Sequence, residues 1–338
     1  MKPDPLMMTR RQLLKASAGV ALGAAFLPRR AHAAEFTFKL ATGQDPTHPV
    51  NLRAKEAIDR IREATHGRVE INLFPANQLG SDTDLLSQLR SGGVDFFNLS
   101  NSILATLVPV VGILNTGFAF PDYDTVWKTV DGELGTFVRG QIARSGILTV
   151  SRAWDNGFRH VTTSVKAVKG PEDLRGLKIR VQQSKVFGDT INGLGGNAVP
   201  MGWGEVVTAA KSGVIDGGDL PIVNIKALKV YEVSKYTSMT YHNYGPTNVV
   251  MNLEIWNGLT AEQKKMLLDL SRETQTRIRE ATESVDTFAA AKKELEPFGM
   301  TVVEAKVEDF RKVAQQKIWP AYKSQYGALW DEIEGFKV

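Results

Sequence analysis

Apolar and polar positions alternate along this chain in short runs, separated by amphipathic helical stretches. FTFKLAT (Phe36–Thr42) reads as a strand. After a loop through Gln44 to His48, a helix is expected from about Val50 to Thr65, with Ala54, Ala57, Ile58 and Ile61 on one face and Gly67 at its end. VEINLF (Val69–Phe74) is the next strand, closed by Pro75. Ser81 or Asp82 can cap the following helix, which carries Leu85, Leu86 and Leu89. VDFFNLS, ending at Ser100, is the third strand. This βαβαβ order predicts parallel strands joined by crossover helices. Ligands of such open sheets sit beyond the carboxyl ends of the strands. Those ends are the polar stretches Gly43–Gln44, Ala76–Asp82 and Asn98–Ser102.

FAFPDYD (Phe118–Asp124) reads as a loop, followed by helices through Arg144 and a strand ILTVSRAW that ends at Trp154. A second βα unit runs from Phe158 to about Tyr244. Thr260 with Gln263 forms a capping box for a long helix, in which Leu267, Leu270, Thr274, Ile278, Ala281, Val285, Phe288 and Leu295 recur every three to four residues until Pro297. About 36 residues at 1.5 Å each give roughly 54 Å, longer than one lobe of a small domain. A coiled-coil partner is the competing explanation, although the spacing keeps no strict heptad. GMTVVE then supplies a short strand, and two helices start near Val307 and Pro320.

The run GLKIRV (Gly176–Val181) carries the first hint of chemistry. Alternation puts Leu177, Ile179 and Val181 on one face and Lys178 and Arg180 on the other. A second cation, Arg159, stands in DNGFRH. Two arginines on short, glycine-punctuated strands form a candidate anion site, because the guanidinium fork donates two parallel hydrogen bonds to a carboxylate and keeps its charge. The competing reading is that each arginine makes an ordinary salt bridge.

Composition narrows the choice. The chain has 338 residues, 43% hydrophobic and 23% charged, enough for a large core and for two domains. It contains no cysteine, which excludes disulfides, thiol nucleophiles and thiolate metal sites. TRRQLLK (Thr9–Lys15), the apolar stretch Ala16–Leu27 and the ending Ala31-His32-Ala33 read as a twin-arginine export signal over residues 1–33, with the mature chain starting near Ala34. The apolar run is about 12 residues, short of the roughly 20 needed to span a membrane. A basic amphipathic arm is the alternative. The segment holds six Lys or Arg and one Asp, so its removal takes the formal charge from +4 to −1. The basic character therefore belongs to the leader and gives no support for nucleic-acid binding. The five histidines include no HExxH pattern, no G-x-S-x-G occurs, and GLGG (Gly193–Gly196) follows a helix and reads as its C-terminus rather than as a phosphate loop. No cofactor or metal is expected. His48, before a proline at a helix start, reads as a structural cap or a cleft residue.

WDNGFRH, PEDLRGLKIRV, GNAVPMGWGEVVTAAKSGVIDGG and YEVSKY occur in that order. They are preceded by His48–Pro49, FPANQLGSDTDLL (Phe74–Leu86) and SGGVDF (Ser91–Phe96). Together they resemble the solute-binding proteins of TRAP (tripartite ATP-independent periplasmic) transporters, dicarboxylate-binding type, over nearly the whole mature chain. The resemblance implies an α/β, two-lobed periplasmic binding protein fold with a ligand cleft between the lobes and a long helix spanning both. It implies lobe I from residues 34–156 plus 246–285 and lobe II from residues 157–245 plus 286–338. It also implies a periplasmic location, binding rather than catalysis, a small organic acid as ligand, and the TRAP membrane subunits as partners of a protein that does not itself span the membrane.

Site residues carry over by position. Arg180 matches the family arginine that pairs with the ligand carboxylate, and Arg159 a second arginine nearby. Trp203 falls where the family has an aromatic residue on the ligand, and Asp219 matches a family Glu. Leu220 departs from the family Asn that hydrogen-bonds the ligand, and makes part of the pocket apolar. Ser100 and Asn101 stand where the family reads the ligand's far end. Gln44, Asp82 and Trp154 complete the candidate set. Leu220 beside Trp203 points to a monocarboxylate with an apolar or aromatic body, ahead of a dicarboxylate and then a sugar acid. A periplasmic ligand sensor serving a membrane receptor, and a Tat-exported enzyme, are the alternatives from other classes.

Overall fold

The computed structural model describes residues 34–150 and 152–333. The expected leader, residues 1–33, lies outside the described residues, as do Ser151 and residues 334–338. Strands β1 (Phe36–Thr42), β2 (Val69–Phe74), β3 (Phe96–Ser100) and β4 (Ile147–Thr149) come first. Strands β5 (Phe158–Thr163), β6 (Lys178–Val181), β7 (Asn197–Pro200), β8 (Gly217–Leu220) and β9 (Tyr236–Tyr244) follow, then β10 (Thr247–Asn252) and β11 (Thr301–Glu304). They form two sheets, ordered β2-β1-β3-β10-β4 and β11-β9-β5-β8-β6-β7. β1 is parallel to β2 and β3, as the βαβαβ pattern predicts. β10 returns from the second sheet to run antiparallel between β3 and β4. The fold is α/β and two-lobed.

Local chemistry sets the helix ends near the strand tips. His48 caps the helix Pro49–Ala64: its Nδ1 accepts the Val50 N–H at 3.2 Å, and proline takes the first helical position. Ser81 and Asp84 form a reciprocal capping box for the helix Asp82–Ser91, which Gly92 closes in a left-handed conformation at φ 77°. In the second sheet Gly217 permits close strand approach. A Cβ there would lie 1.8 Å from the Thr162 carbonyl oxygen on β5.

Three apolar clusters hold the molecule. One fills the far side of the first sheet with the helices Pro49–Ala64 and Ala261–Glu283, around Phe38, Phe96, Trp154, Leu267 and Ile278. A second lies under the second sheet with the helix Phe288–Leu295. The largest joins both halves, running from Leu85 and Phe97 through Phe118, Phe158 and Phe187 to Phe310, Trp319 and Trp330 of the C-terminal helices. Among the described residues no helix is long and apolar enough to cross a membrane.

Two expected elements differ. The strand expected through Trp154 keeps ladder pairing only over Ile147–Thr149, and Trp154 then makes an isolated bridge to Thr247. The long helical run is also interrupted. One helix covers Ala261–Glu283 and a second begins at Phe288 with Thr287 as its cap. The break delivers Asp286 to buried donors. Its carboxylate accepts the Phe158 N–H and the Tyr123 hydroxyl, both at 2.7 Å, and meets His160 Nε2 at 2.9 Å. Three chain crossings therefore meet at one place: Trp154–Phe158, Tyr244–Thr247 and the helix break. Arg279 ties the helix to this junction through Asp131 at 2.7 and 3.0 Å and the Ala153 carbonyl at 2.8 Å, with its guanidinium 3.9 Å from the Trp127 ring centre.

Candidate functional site

The carboxyl ends of β1, β2 and β3 face the second sheet, and between them lies a small cavity walled by both sheets. The first sheet contributes Gly43, Gln44, Asp82, Asn98, Leu99 and Ser100 to the wall, and Asn156 comes from the crossing chain. The second sheet side contributes Arg159, Arg180, Gln182, Trp203, Leu220, Pro221 and Asn224.

Arg180 projects from β6, in register with Val199 of β7 and Gly218 of β8. Its Nη2 and Nε donate to the Met201 carbonyl at 2.9 and 3.3 Å. Nη1 has no hydrogen-bond partner, although only 2% of the residue is exposed. Burial, reinforced by the neighbouring charge of Arg159, lowers its pKa to about 10, which leaves it charged at neutral pH. Its guanidinium carbon lies 5.7 Å from the Trp203 ring centre.

Arg159 on β5 is paired internally. Nε donates to Asp219 Oδ1 at 2.6 Å, a terminal nitrogen donates to the Asp219 carbonyl, and the guanidinium lies over Phe187 at 4.5 Å. His242 Nε2 stands 3.2 Å from the same Asp219 oxygen. Burial works against the charged form of Asp219, but Arg159 and His242 outweigh it and bring the carboxyl to about 2. The Arg159–Asp219 pair is thus neutral as a unit. Among the described residues of the wall, Arg180 is the cation with no ion-pair partner.

The wall also presents polar atoms with no partner, both amide atoms of Asn98 and Nε1 of Trp203, while the side chains of Asn156 and Asn224 interact with buried His48. Unpaired buried groups of this kind cost free energy unless something else satisfies them. Among the described residues, side-chain hydrogen bonds at the cavity join the two sides. Asn224 Nδ2 donates to Gln44 Oε1 at 2.8 Å, and Ser102 Oγ donates to Gln182 Oε1 at 2.8 Å. One charged fork and the unpaired Asn98 amide in the same wall can hold an anion that also carries hydroxyl groups.

The family model for bacterial extracellular solute-binding proteins, family 7 (DctP), matches residues 40–328. The chain belongs to this family. Among curated relatives of this family 7 protein, the 2,3-diketo-L-gulonate-binding periplasmic protein YiaO of Escherichia coli (strain K12) is 34% identical over 250 residues, covering 74% of this chain and 75% of that protein. The C4-dicarboxylate-binding protein DctB of Bacillus subtilis (strain 168) is 30% identical over 240 residues, covering 71% and 68%. Solved TRAP periplasmic solute-binding proteins share the fold. One from Polaromonas sp. JS666, bound to D-erythronate, superposes with a TM-score of 0.83 at 27% identity over 89% of this chain and 98% of that one. One from Pseudomonas putida F1 with bound D-glucuronate gives 0.82 at 28% identity over 89% and 98%. The chain is a TRAP-type periplasmic solute-binding protein.

Seven of the ten candidate residues of this family 7 protein line the one cavity: Arg180, Arg159, Trp203, Leu220, Gln44, Asp82 and Ser100. Three do not. Asp219 sits behind the wall, committed to Arg159. The Asn101 side chain turns to Asn248, and its backbone N–H donates to the Pro246 carbonyl at 3.0 Å, so it braces the return to β10. Trp154 faces the apolar core beneath the first sheet, beside a separate cavity lined by Leu40, Phe96 and Leu267, which lacks the charged groups an anion needs. Asn156, Gln182 and Asn224 line the cavity without marking themselves in the sequence, and Asn98 lines it from the strand end Asn98–Ser102, where a ligand is expected. Gln182 lies two residues beyond Arg180, so strand alternation alone could have found it. His48 is the helix cap rather than part of the wall, and burial lowers its pKa to about 4 against nearby Asn224 and Asp45.

Proposed function

We propose that the cavity captures an organic acid that carries a carboxylate at one end and hydroxyl groups along its body, by closure of the two lobes. The observation that carries this reading is the unpaired Nη1 of buried, charged Arg180 in the same wall as the unpaired amide of Asn98. The carboxylate completes the guanidinium. Asn98, Asn156 and Asn224 exchange hydrogen bonds with hydroxyls, and Trp203 and Leu220 cover the carbon skeleton. Leu220 supplies one apolar patch in a largely polar wall, so a polyhydroxy acid ranks above an acid with an aromatic body. The relatives and neighbours named for diketogulonate, erythronate and glucuronate support the same class.

Binding, not turnover, is the chemistry the site supports. A hydrogen bond to a charged group contributes about 1.5–3 kcal/mol. Two or three of them with apolar burial reach about −8 kcal/mol, micromolar affinity, once ordering costs are subtracted. Residues 34–156 with 246–285 form one lobe and residues 157–245 with 286–338 the other, a division supported by the membership of the two sheets. The exported protein, carried by its twin-arginine leader, delivers its ligand to the TRAP membrane subunits. A thermal-shift screen of organic acids tests the reading: polyhydroxy monocarboxylates should raise the melting temperature in proportion to occupancy. A screen in which amino acids or neutral sugars stabilise the protein and no organic acid does would refute it.

A further inference from the structure

The charges of the cavity wall are distributed unevenly. Both cations, Arg159 and Arg180, come from the second sheet, and Arg159 is spent on Asp219. The first-sheet wall offers Gly43, Gln44, Asn98, Ser100 and one ionisable group, Asp82. Asp82 is the first residue of the helix Asp82–Ser91, where the helix N-terminus favours an anion. Its carboxylate packs on the β1 end: a Cβ on Gly43 would lie 2.6 Å from Asp82 Oδ1. Burial raises its pKa, opposed by the field of Arg180 across the cavity and by the Asn77 side chain.

Resting on the organic-acid reading above, we infer that Asp82 is a charge filter that restricts this cavity to acids with a single carboxylate. A carboxylate seated on Arg180 directs the far end of the ligand toward the first sheet. An alcohol there donates to the Asp82 carboxylate or to the Asn98 carbonyl oxygen. A second carboxylate meets a like charge and finds no cation on that side to offset it. The filter works by repulsion, so removing the charge should broaden specificity rather than merely weaken binding.

The test uses matched pairs that differ only in whether the terminal carbon is an alcohol or a carboxylate, one pair at each chain length from three to six carbons: D-glycerate with tartronate, D-erythronate with meso-tartrate, D-xylonate with xylarate, and D-gluconate with D-glucarate. Calorimetry on the wild-type protein should show the monoacid of the binding pair at least 30-fold tighter than its diacid. Asp82→Asn should narrow that ratio at least tenfold, mainly through gained diacid affinity, while Asp82→Glu keeps it. A wild-type protein that binds a diacid as tightly as its matched monoacid overturns the filter and leaves the organic-acid reading intact. An unchanged ratio in Asp82→Asn also overturns it. Binding of no acid of either kind would overturn the reading on which it rests. A wild-type ratio near one overturns the filter even if the variants fold poorly.

Discussion

Asn224, on the helix that follows β8, donates its amide to the side chain of Gln44, at the tip of β1, across 2.8 Å of the ligand cavity. The two residues are 180 positions apart and follow strands of different sheets, β1 and β8. Ser102 and Gln182 repeat the arrangement at 2.8 Å. Each pair joins the two walls, so under the proposed closure each favours the closed form before any ligand contact is counted.

Gln44→Ala is therefore expected to weaken ligand binding by roughly 3- to 10-fold, the worth of one net hydrogen bond of about 1 kcal/mol. The loss should appear mainly as faster release. Combining it with Gln182→Ala should cost the sum of the two, since the contacts share no partner. Stopped-flow measurement of release rates checks this. Release unchanged in both variants would show that the crossings do not hold the closed form.

The junction between the two sheets carries a pH dependence. Burial raises the Asp155 carboxyl to about 7, against the Gly157 N–H and Tyr244 hydroxyl that donate to it, each at 2.9 Å, and with help from the like charge of Asp286. A raised carboxyl binds its proton more tightly when folded. Its stabilising effect is full below the unfolded value near 4 and is lost as pH rises to about 7. Buried His48 acts the other way. Its lowered value of about 4 means that stability falls as pH drops from 6.5 toward 4. The two nearly offset in the wild type between pH 4 and 6.5. Asp155→Asn removes one of them, so the variant should lose stability relative to the wild type at pH 5 and regain it by pH 7.5, on the order of 1–3 kcal/mol. Urea unfolding at both pH values reads the difference, and parallel profiles for the two proteins would contradict it.

Gly217→Ala is expected to be severely destabilising, by about 3 kcal/mol or more, because strands β5 and β8 leave no room for a methyl group beside the Thr162 carbonyl. A neighbouring control, Gly204→Ala, meets nothing within 4 Å and should change stability little. Denaturation midpoints that fail to separate these two variants would show that the second sheet tolerates spreading at β8.

What the sequence made legible was local. Alternation in KIRV places Arg180 opposite Ile179 and Val181, and the same period reaches Gln182, a neutral side chain that no charge pattern marks. Pro49, Ser81 and Gly92 announce helix ends by their own chemistry, and the structure uses them so. The break at Ser284–Thr287 was hidden because apolar spacing continues through it. Only the long-range need of Phe158, Tyr123 and His160 for the Asp286 carboxylate explains the interruption. Trp154 shows the complementary limit. An aromatic residue at a strand end has a cleft side and a core side, and sequence alone does not say which one a neighbouring helix will cover. The pairing of Arg159 with Asp219, 60 residues away, was likewise beyond local reading, and it left Arg180 as the cation for a ligand.

The most direct test is a calorimetric titration of wild-type protein, Arg180→Ala and Arg180→Lys with D-erythronate, D-gluconate, D-glucuronate and D-galacturonate. For whichever acid binds the wild type most tightly, Arg180→Ala should weaken binding about 100-fold or more, near 2.7 kcal/mol. Arg180→Lys should lose about tenfold, because an ammonium makes no planar pair. Circular dichroism should show both variants folded. A folded Arg180→Ala protein that binds the same acid as tightly as the wild type would contradict the account.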